Sequence, residues 1–228
     1  MDEVLKKSYL EFLFGFVTQH KQIRFEEVIR YRTRHLTIVL EDIYQSHNAS
    51  AVLRTCDCFG IQDVHIIENK NPYTVNPDVA LGSSQWLTMN KYSGNEDNTA
   101  RCLAFLKARG YRIAATSPRE NDYMLSELPL DQKTALVFGT ELNGLSPTAL
   151  EMADCSVRIP MVGFTESFNI SVSAAICLYD LTSRLHRSAV EWQLSEAERT
   201  DLMIQWAGNV LGHPLTFEKE FMSSRMGK

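Results

Sequence analysis

Side chains able to do chemistry gather in three polar stretches of this chain. The first runs Glu41-Asp42-Ile43-Tyr44-Gln45-Ser46-His47-Asn48-Ala49-Ser50-Ala51-Val52-Leu53-Arg54, setting an amide, Asn48, six residues ahead of a guanidinium, Arg54. On a helix, at about 100° per residue, those two lie about 120° apart and flank a site rather than stack. Asn48 taken alone reads more readily as a helix cap. Arg54 follows the apolar Val52 and Leu53 and calls for a phosphate or carboxylate partner. The second stretch, Phe138-Gly139-Thr140-Glu141-Leu142-Asn143-Gly144-Leu145-Ser146, frames the acid Glu141 between glycines that allow a tight turn and close backbone approach to a ligand. The third, Ile159-Pro160-Met161-Val162-Gly163-Phe164-Thr165-Glu166-Ser167-Phe168-Asn169-Ile170-Ser171-Val172-Ser173, interleaves apolar residues with the hydroxyls and amide of Ser167, Asn169 and Ser171. These polar groups suit an amphipathic cofactor, or simply cap the helix that follows.

Other chemistries lack their residues. There is no GxGxxG, no GxxxxGK and no GxSxG, so the usual dinucleotide, P-loop and hydrolase fingerprints are missing. The five cysteines (Cys56, Cys58, Cys102, Cys155 and Cys177) form no CxxC, and the six histidines form no HExxH, so neither a metal site nor a disulfide framework is expected.

The elements that must position these stretches alternate in type. Leu36-Thr37-Ile38-Val39-Leu40 and Asp63-Val64-His65-Ile66-Ile67 are short, β-branched apolar runs of the kind buried in a parallel sheet. Tyr111 to Ala115, Ala135 to Phe138 and Ser156 to Ile159 are further strands. Helical spacing marks His47 to Phe59, Asp97 to Arg109, Pro147 to Met152 and a long helix from Ile170. The segment from Glu68 to Gly94, rich in Asn, Pro, Gly and Ser, reads mostly as loop. Alternation from about Leu36 to Arg187 predicts an α/β domain around a mostly parallel sheet, and each polar stretch falls just after a strand, where open α/β sheets bind ligands. Helices are expected over Asp2 to Val17 and Ile23 to Tyr31, and again from Ser195, with Ser195 and Glu198 as a capping box before a polar tail. The expected organisation is a helical extension over 1–34, a core over 35–190 and a C-terminal helical extension over 191–228.

At 228 residues, 44% hydrophobic and 22% charged, the composition is that of a globular chain, with no apolar run long enough to span a membrane and an acidic Met1-Asp2-Glu3 start that points to the cytoplasm. The net charge of −5 argues against an indiscriminate nucleic-acid binder. Local charge differs. Between His20 and His35, Lys21, Arg24, Arg30, Arg32 and Arg34 face only Glu26 and Glu27, which reads either as a solvated helix face or as a phosphate-binding surface.

In order and spacing, the three stretches resemble the three motifs of the SpoU/TrmH branch of the SPOUT RNA methyltransferases: Asn48 with Arg54; Phe138-Gly139-Thr140-Glu141-Leu142-Asn143-Gly144; and Ile159 through Val172. The run from Leu36 to Glu68 and Gly82-Ser83-Ser84-Gln85-Trp86 look most like the tRNA ribose methyltransferases of that branch. The resemblance implies an α/β fold whose C-terminal part is tied in a deep trefoil knot, an exception to the unknotted rule, and a homodimer whose subunits share residues at each site. It implies S-adenosylmethionine as cofactor, contacted by Thr116, Phe138, Gly139, Ile159 and Phe168. It implies methyl transfer to a ribose 2′-hydroxyl of RNA, with the D-loop guanosine at tRNA position 18 as the expected target. A ribosomal RNA or another tRNA position is the alternative, and an RNA-binding adaptor without catalysis the reading from another class. Arg54 carries over as the catalytic arginine, with Asn48, Glu141, Ser167 and Asn169 holding it, the cofactor and the ribose in register. Arg24, Arg30, Arg32 and Arg34 are the expected RNA contacts, and Arg184 and Arg187 on the long helix stand near positions where the branch carries further arginines.

Overall fold

The computed structural model describes residues 1–117, 123–140, 143–212 and 214–226. They form two compact units, one of residues 1–32 with 193–228 and one of residues 33–192. The second unit holds all three polar stretches.

Its strands are β1 (Leu36–Glu41), β2 (Asp63–Ile67), β3 (Thr88–Tyr92), β4 (Arg112–Thr116), β5 (Tyr123–Met124), β6 (Thr134–Phe138) and β7 (Cys155–Arg158). Among the described residues they make one sheet in the order β3-β2-β1-β6-β4-β7-β5, with every pairing parallel. In the register, Leu40 lies beside Phe138, Ala115 beside Val137 and Thr116 beside Val157.

Alternation along each strand sends side chains to two cores. Ile38, Leu40, Val64, Leu136 and Phe138 pack with Val52, Leu53, Cys56, Leu178 and Leu181, residues of α3 (Ser46–Cys58) and the long helix. Val39, Ile113, Ala135 and Val137 face the other way, onto Leu103 and Leu106 of α5 (Asn98–Ala108) and Ala149 of α6 (Pro147–Met152). A sheet covered on both faces explains why every residue of β1 and β6 is buried and why these strands read as unbroken apolar runs. Each fully buried Leu or Ile adds about 1.5–3 kcal/mol of burial free energy. The long helix, α7 (Ile170–Leu185), turns Ile170, Ala174, Cys177, Leu178, Leu181 and Leu185 inward along one stripe.

The segment from Glu68 to Gly94 is mostly loop, as expected, but it also carries short elements. It contains α4 (Pro77–Ala80), a 3₁₀ turn over Ser83–Gln85 and β3. The sequence of β3, Thr-Met-Asn-Lys-Tyr, lacks an apolar run because this is an edge strand, with only Tyr92 buried. Two-residue β5 escaped the sequence pattern because it is too short to show any period.

In the first unit, α1 (Glu3–Phe14), α2 (Gln19–Ile29), α8 (Glu196–Leu211) and α9 (Pro214–Met226) pack through aromatic rings, Tyr9 against Phe221 at 5.1 Å and Phe25 against Trp206 at 5.5 Å. Ser195 caps α8 in the expected box with Glu198. The expected polar tail is instead helix α9, whose Phe221 is buried.

Candidate active site

Because the pairings are parallel, the neighbouring strands β1, β6, β4 and β7 end on one edge of the sheet, at Glu41, Phe138, Thr116 and Arg158. The three polar stretches leave from that edge. Thr116 donates its hydroxyl to the Val137 carbonyl at 2.8 Å, tying the ends of β4 and β6. The Phe138 side chain is buried in the core, so only its backbone can meet a ligand. Ile159 lies half-buried at the exit of β7, and Phe168 is exposed in the loop that follows. Four of the five expected cofactor residues thus come from three adjacent strand ends, and Phe168 comes from the loop leaving the third.

The turn after β6 is built around a steric requirement. A Cβ on Gly139 would overlap the backbone of Gly144, at its carbonyl and at the peptide link to Leu145. Gly144 itself has φ +70°, the left-handed region that favours glycine. Thr140 and Gly144 exchange two backbone hydrogen bonds, each 3.0 Å. The strand end therefore offers peptide groups with no side chain in the way, a surface that fits S-adenosylmethionine held through backbone contacts. Glu141, expected within this turn, lies outside the described residues.

Two stretches 121 residues apart are joined by side chains: Asn169 donates its Nδ2 to Asn48 Oδ1 at 3.1 Å. Asn48 is buried and donates its own Nδ2 to Gln45 Oε1 at 3.2 Å. It is not the helix cap, because α3 begins at Ser46 with Gln45 before it. Asn169 does cap α7, accepting from the Ser171 amide at 2.8 Å and the Ser171 hydroxyl at 2.6 Å. It caps and bridges at once. Arg54 stands exposed on α3, and Ser167 is exposed in the loop before Asn169. Exposure in place of packing leaves the Arg54 guanidinium open to a ligand from solution.

The basic residues separate into several kinds. Arg24 is exposed, paired with Glu27 at 3.1 Å, and Arg30 is exposed just after α2. Arg32 corrects the expectation of a surface contact: it is 1% exposed, its guanidinium 5.4 Å from the Trp206 ring centre. Arg34 is half-buried and paired with Asp63 at 3.1 Å. Arg184 turns inward, donating to Asp180 and to the carbonyls of Leu128 and Leu125 at 2.8–2.9 Å. That leaves Arg187 as the outward-facing one of the two.

One group at this edge escaped the sequence reading. Glu41 is 2% exposed and accepts hydrogen bonds from Thr99 and Ser146. The available signal was an acid closing an apolar strand and opening a polar stretch. Groups whose ionisation is most displaced lie away from this edge: burial pushes His65 down to about 4, Cys102 of the second core up to about 12, and Cys177 of the first core likewise up to about 12. Among the described residues no group of His, Cys, Asp and Glu converges as a metal site would require.

The model of the SpoU rRNA Methylase family matches residues 35–179. A tRNA (guanosine(18)-2′-O)-methyltransferase of Borreliella burgdorferi is 47% identical over 92% of this chain and 94% of its own length. A crystal structure described as a tRNA modifying enzyme, TrmH/SpoU of A. aeolicus, is 31% identical, covers 85% of this chain and 98% of its own, and superposes with a TM-score of 0.74. The SpoU methyltransferase AviRb of Streptomyces viridochromogenes, solved with the cofactor AdoMet, shares the fold at a TM-score of 0.60 and 20% identity, covering 71% of this chain and 65% of its own.

Proposed function

We propose that this chain, which belongs to the SpoU rRNA methylase family, methylates the ribose 2′-hydroxyl of guanosine 18 in tRNA. It is an RNA methyltransferase, and its methyl donor is S-adenosylmethionine. The observation that carries the choice of RNA is the reach of the similarity to the Borreliella protein. The family match ends at residue 179, whereas that alignment spans 210 residues and so takes in much of the terminal unit. The three motifs serve the cofactor and a ribose common to all RNA, so selection of a tRNA site has to come from elsewhere in the chain.

When bound, the cofactor supplies an electrophilic methyl on a sulfonium; the ribose 2′-oxygen takes that methyl and gives up its proton. The chain contributes positioning and charge. Thr116, the backbone of Phe138 and Gly139, Ile159 and Phe168 hold the donor at the strand ends. Arg54 cannot serve as general base, because a guanidinium stays protonated. It binds a neighbouring phosphate and polarises the 2′-hydroxyl, with phosphate or water accepting the proton. Asn48 and Asn169, already bonded to one another, keep α3 and the third stretch in register around it. Glu141 and Ser167 complete the set, and Arg24 and Arg30 meet tRNA phosphates.

A homodimer and the family's trefoil knot belong to this reading. Supporting the dimer, Val162 and Phe164 are as open to solvent as free residues (105% and 108% exposed), and Phe168, Val172 and Tyr179 carry the exposed apolar surface onto α7. Supporting the knot, the late strand β6 lies between β1 and β4. A cytoplasmic site of action suits the five free thiols and a tRNA substrate.

The test is incubation with methyl-labelled S-adenosylmethionine and total tRNA, then digestion to nucleosides. Label is expected in 2′-O-methylguanosine and is expected to vanish for a tRNA carrying adenosine at position 18. Label on a base, or label surviving that replacement, overturns the proposal.

A further inference from the structure

The buried carboxylate of Glu41 has no role in the reading above. It closes β1, at the edge where the three polar stretches begin, and is 2% exposed. Its Oε1 accepts the Thr99 hydroxyl at 2.6 Å and the Ser146 hydroxyl at 2.6 Å, and its Oε2 accepts the Ser146 backbone amide at 2.9 Å. The donors are neutral hydroxyls and a peptide group. Desolvating an ionised carboxylate costs several kcal/mol, and apolar residues fill such a place more cheaply when stability alone is at stake. What the carboxylate supplies in return is geometry, because a charged acceptor makes short hydrogen bonds of fixed direction.

That geometry acts on the turn after β6. Ser146 ends the second polar stretch, 105 residues beyond Glu41, and is held by two hydrogen bonds, one to each carboxylate oxygen. The near end of the stretch is fixed by β6 itself, and Gly139 packs against the Gly144 backbone with no room for a Cβ. The two described ends of the turn, Gly139–Thr140 and Gly144–Ser146, are thereby held in place.

The carboxylate is held in turn. Thr99, its other donor, accepts from Asn69 Nδ2 at 2.9 Å. The Asn69 backbone N–H donates at 2.7 Å to the carboxylate of Asp42, a residue at φ +52°. Non-glycine residues at positive φ persist only where their surroundings over-determine them. One chain of hydrogen bonds thus ties the start of the first polar stretch to the end of the second.

We infer that Glu41 is a positioning residue for the cofactor: it fixes the Gly144–Ser146 end of the turn after β6, acting through Ser146 without touching the methyl donor. The inference rests on the S-adenosylmethionine reading above. Replacing the carboxylate by an amide removes the charge and leaves only one of its two atoms able to accept from Ser146, so cofactor binding should weaken by about 10- to 100-fold.

The test is calorimetric titration of S-adenosylmethionine into the full chain and into Glu41→Gln, with amide hydrogen exchange of the peptide spanning 139–150. Leu103→Ala, which opens a cavity under α5 and removes no hydrogen bond of this set, is the stability-matched comparison. Expected are a 10- to 100-fold higher Kd and faster exchange over 139–150 in Glu41→Gln, with both unchanged within twofold in Leu103→Ala. Equal losses in the two variants mean Glu41 acts through stability alone and overturn the inference, as does an unchanged Kd in Glu41→Gln. Should Glu41→Gln fail to fold, Ser146→Ala removes one of the two turn contacts together with the α6 cap to the Ala149 amide, and is expected to raise the Kd about 10-fold; an unchanged Kd there overturns the inference. If the unaltered chain binds no S-adenosylmethionine, the functional reading itself fails, a result separate from these.

Discussion

The Asn48–Asn169 bridge makes a prediction whose size follows from the contacts. Asn169→Ala removes the α7 cap, about 1 kcal/mol, and the bridge to Asn48, about 0.5–1.5 kcal/mol, so it should cost about 1.5–2.5 kcal/mol. Asn48→Ala removes the bridge and the bond to Gln45, but its freed partner Asn169 is exposed and can turn to water, so about 1 kcal/mol is expected. The double variant loses the bridge only once. The cycle should therefore show a coupling of about 0.5–1.5 kcal/mol, against a scatter of roughly 0.3–0.5 kcal/mol for independent sites. Urea denaturation of the four proteins, followed by a probe in the sheet unit, measures it in stability, and kcat/KM for methyl transfer measures it in the reaction. If the bridge sets the register of α3 against the third stretch, the coupling should appear in both. Additivity in both would mean that the two asparagines act separately and that the hydrogen bond between them organises nothing.

Arg54→Ala should lower turnover by about 10²-fold or more, as for loss of a group stabilising developing charge, with tRNA affinity nearly unchanged; a rise in the tRNA dissociation constant alone would make Arg54 a phosphate clamp. Gly139→Ala should weaken S-adenosylmethionine binding, measured by calorimetry, because the new Cβ would overlap the backbone of Gly144; unaltered affinity would show that the turn can yield. Replacing Arg24 and Arg30 together by alanine should weaken tRNA binding and reduce its salt slope by up to about two, with no loss of turnover at saturating tRNA, as filter binding and saturation kinetics would report. His65 gives a pH prediction. Burial holds its folded pKa near 4, below the unfolded value of 6.5, so the unfolded chain binds the extra proton between those values. Its contribution is complete above pH 6.5 and falls away as pH drops toward 4, by about 3 kcal/mol at most. Urea midpoints between pH 7 and 4 should decline less steeply in His65→Gln; identical slopes would show that His65 does not drive the acid limb.

Local pattern carried much of this protein. The apolar runs from Leu36 and Asp63 specify strands buried on two faces, the spacing from Ile170 to Leu185 specifies the inward stripe of α7, and Ser195 with Glu198 caps α8 where the box predicts. Such features need only neighbours in sequence, so the sequence states them. Edge strand β3 does not, because half-exposed residues have no apolar signature and its pairing with β2 exists only once the chain has folded back. The site divides the same way. Residue types and spacing marked Asn48, Arg54, Gly139 and Asn169, since an amide, a guanidinium and a sterically obligatory glycine are chemistry by identity. Whether a basic residue faces water is decided by packing: Arg24 and Arg32 look alike in the chain, yet one is exposed and the other lies over Trp206. Nor could spacing announce that Asn169 would reach Asn48, or that Glu41 would hold Ser146, because contacts 121 and 105 residues apart are fixed by which strands lie side by side, and that order is a property of the folded sheet.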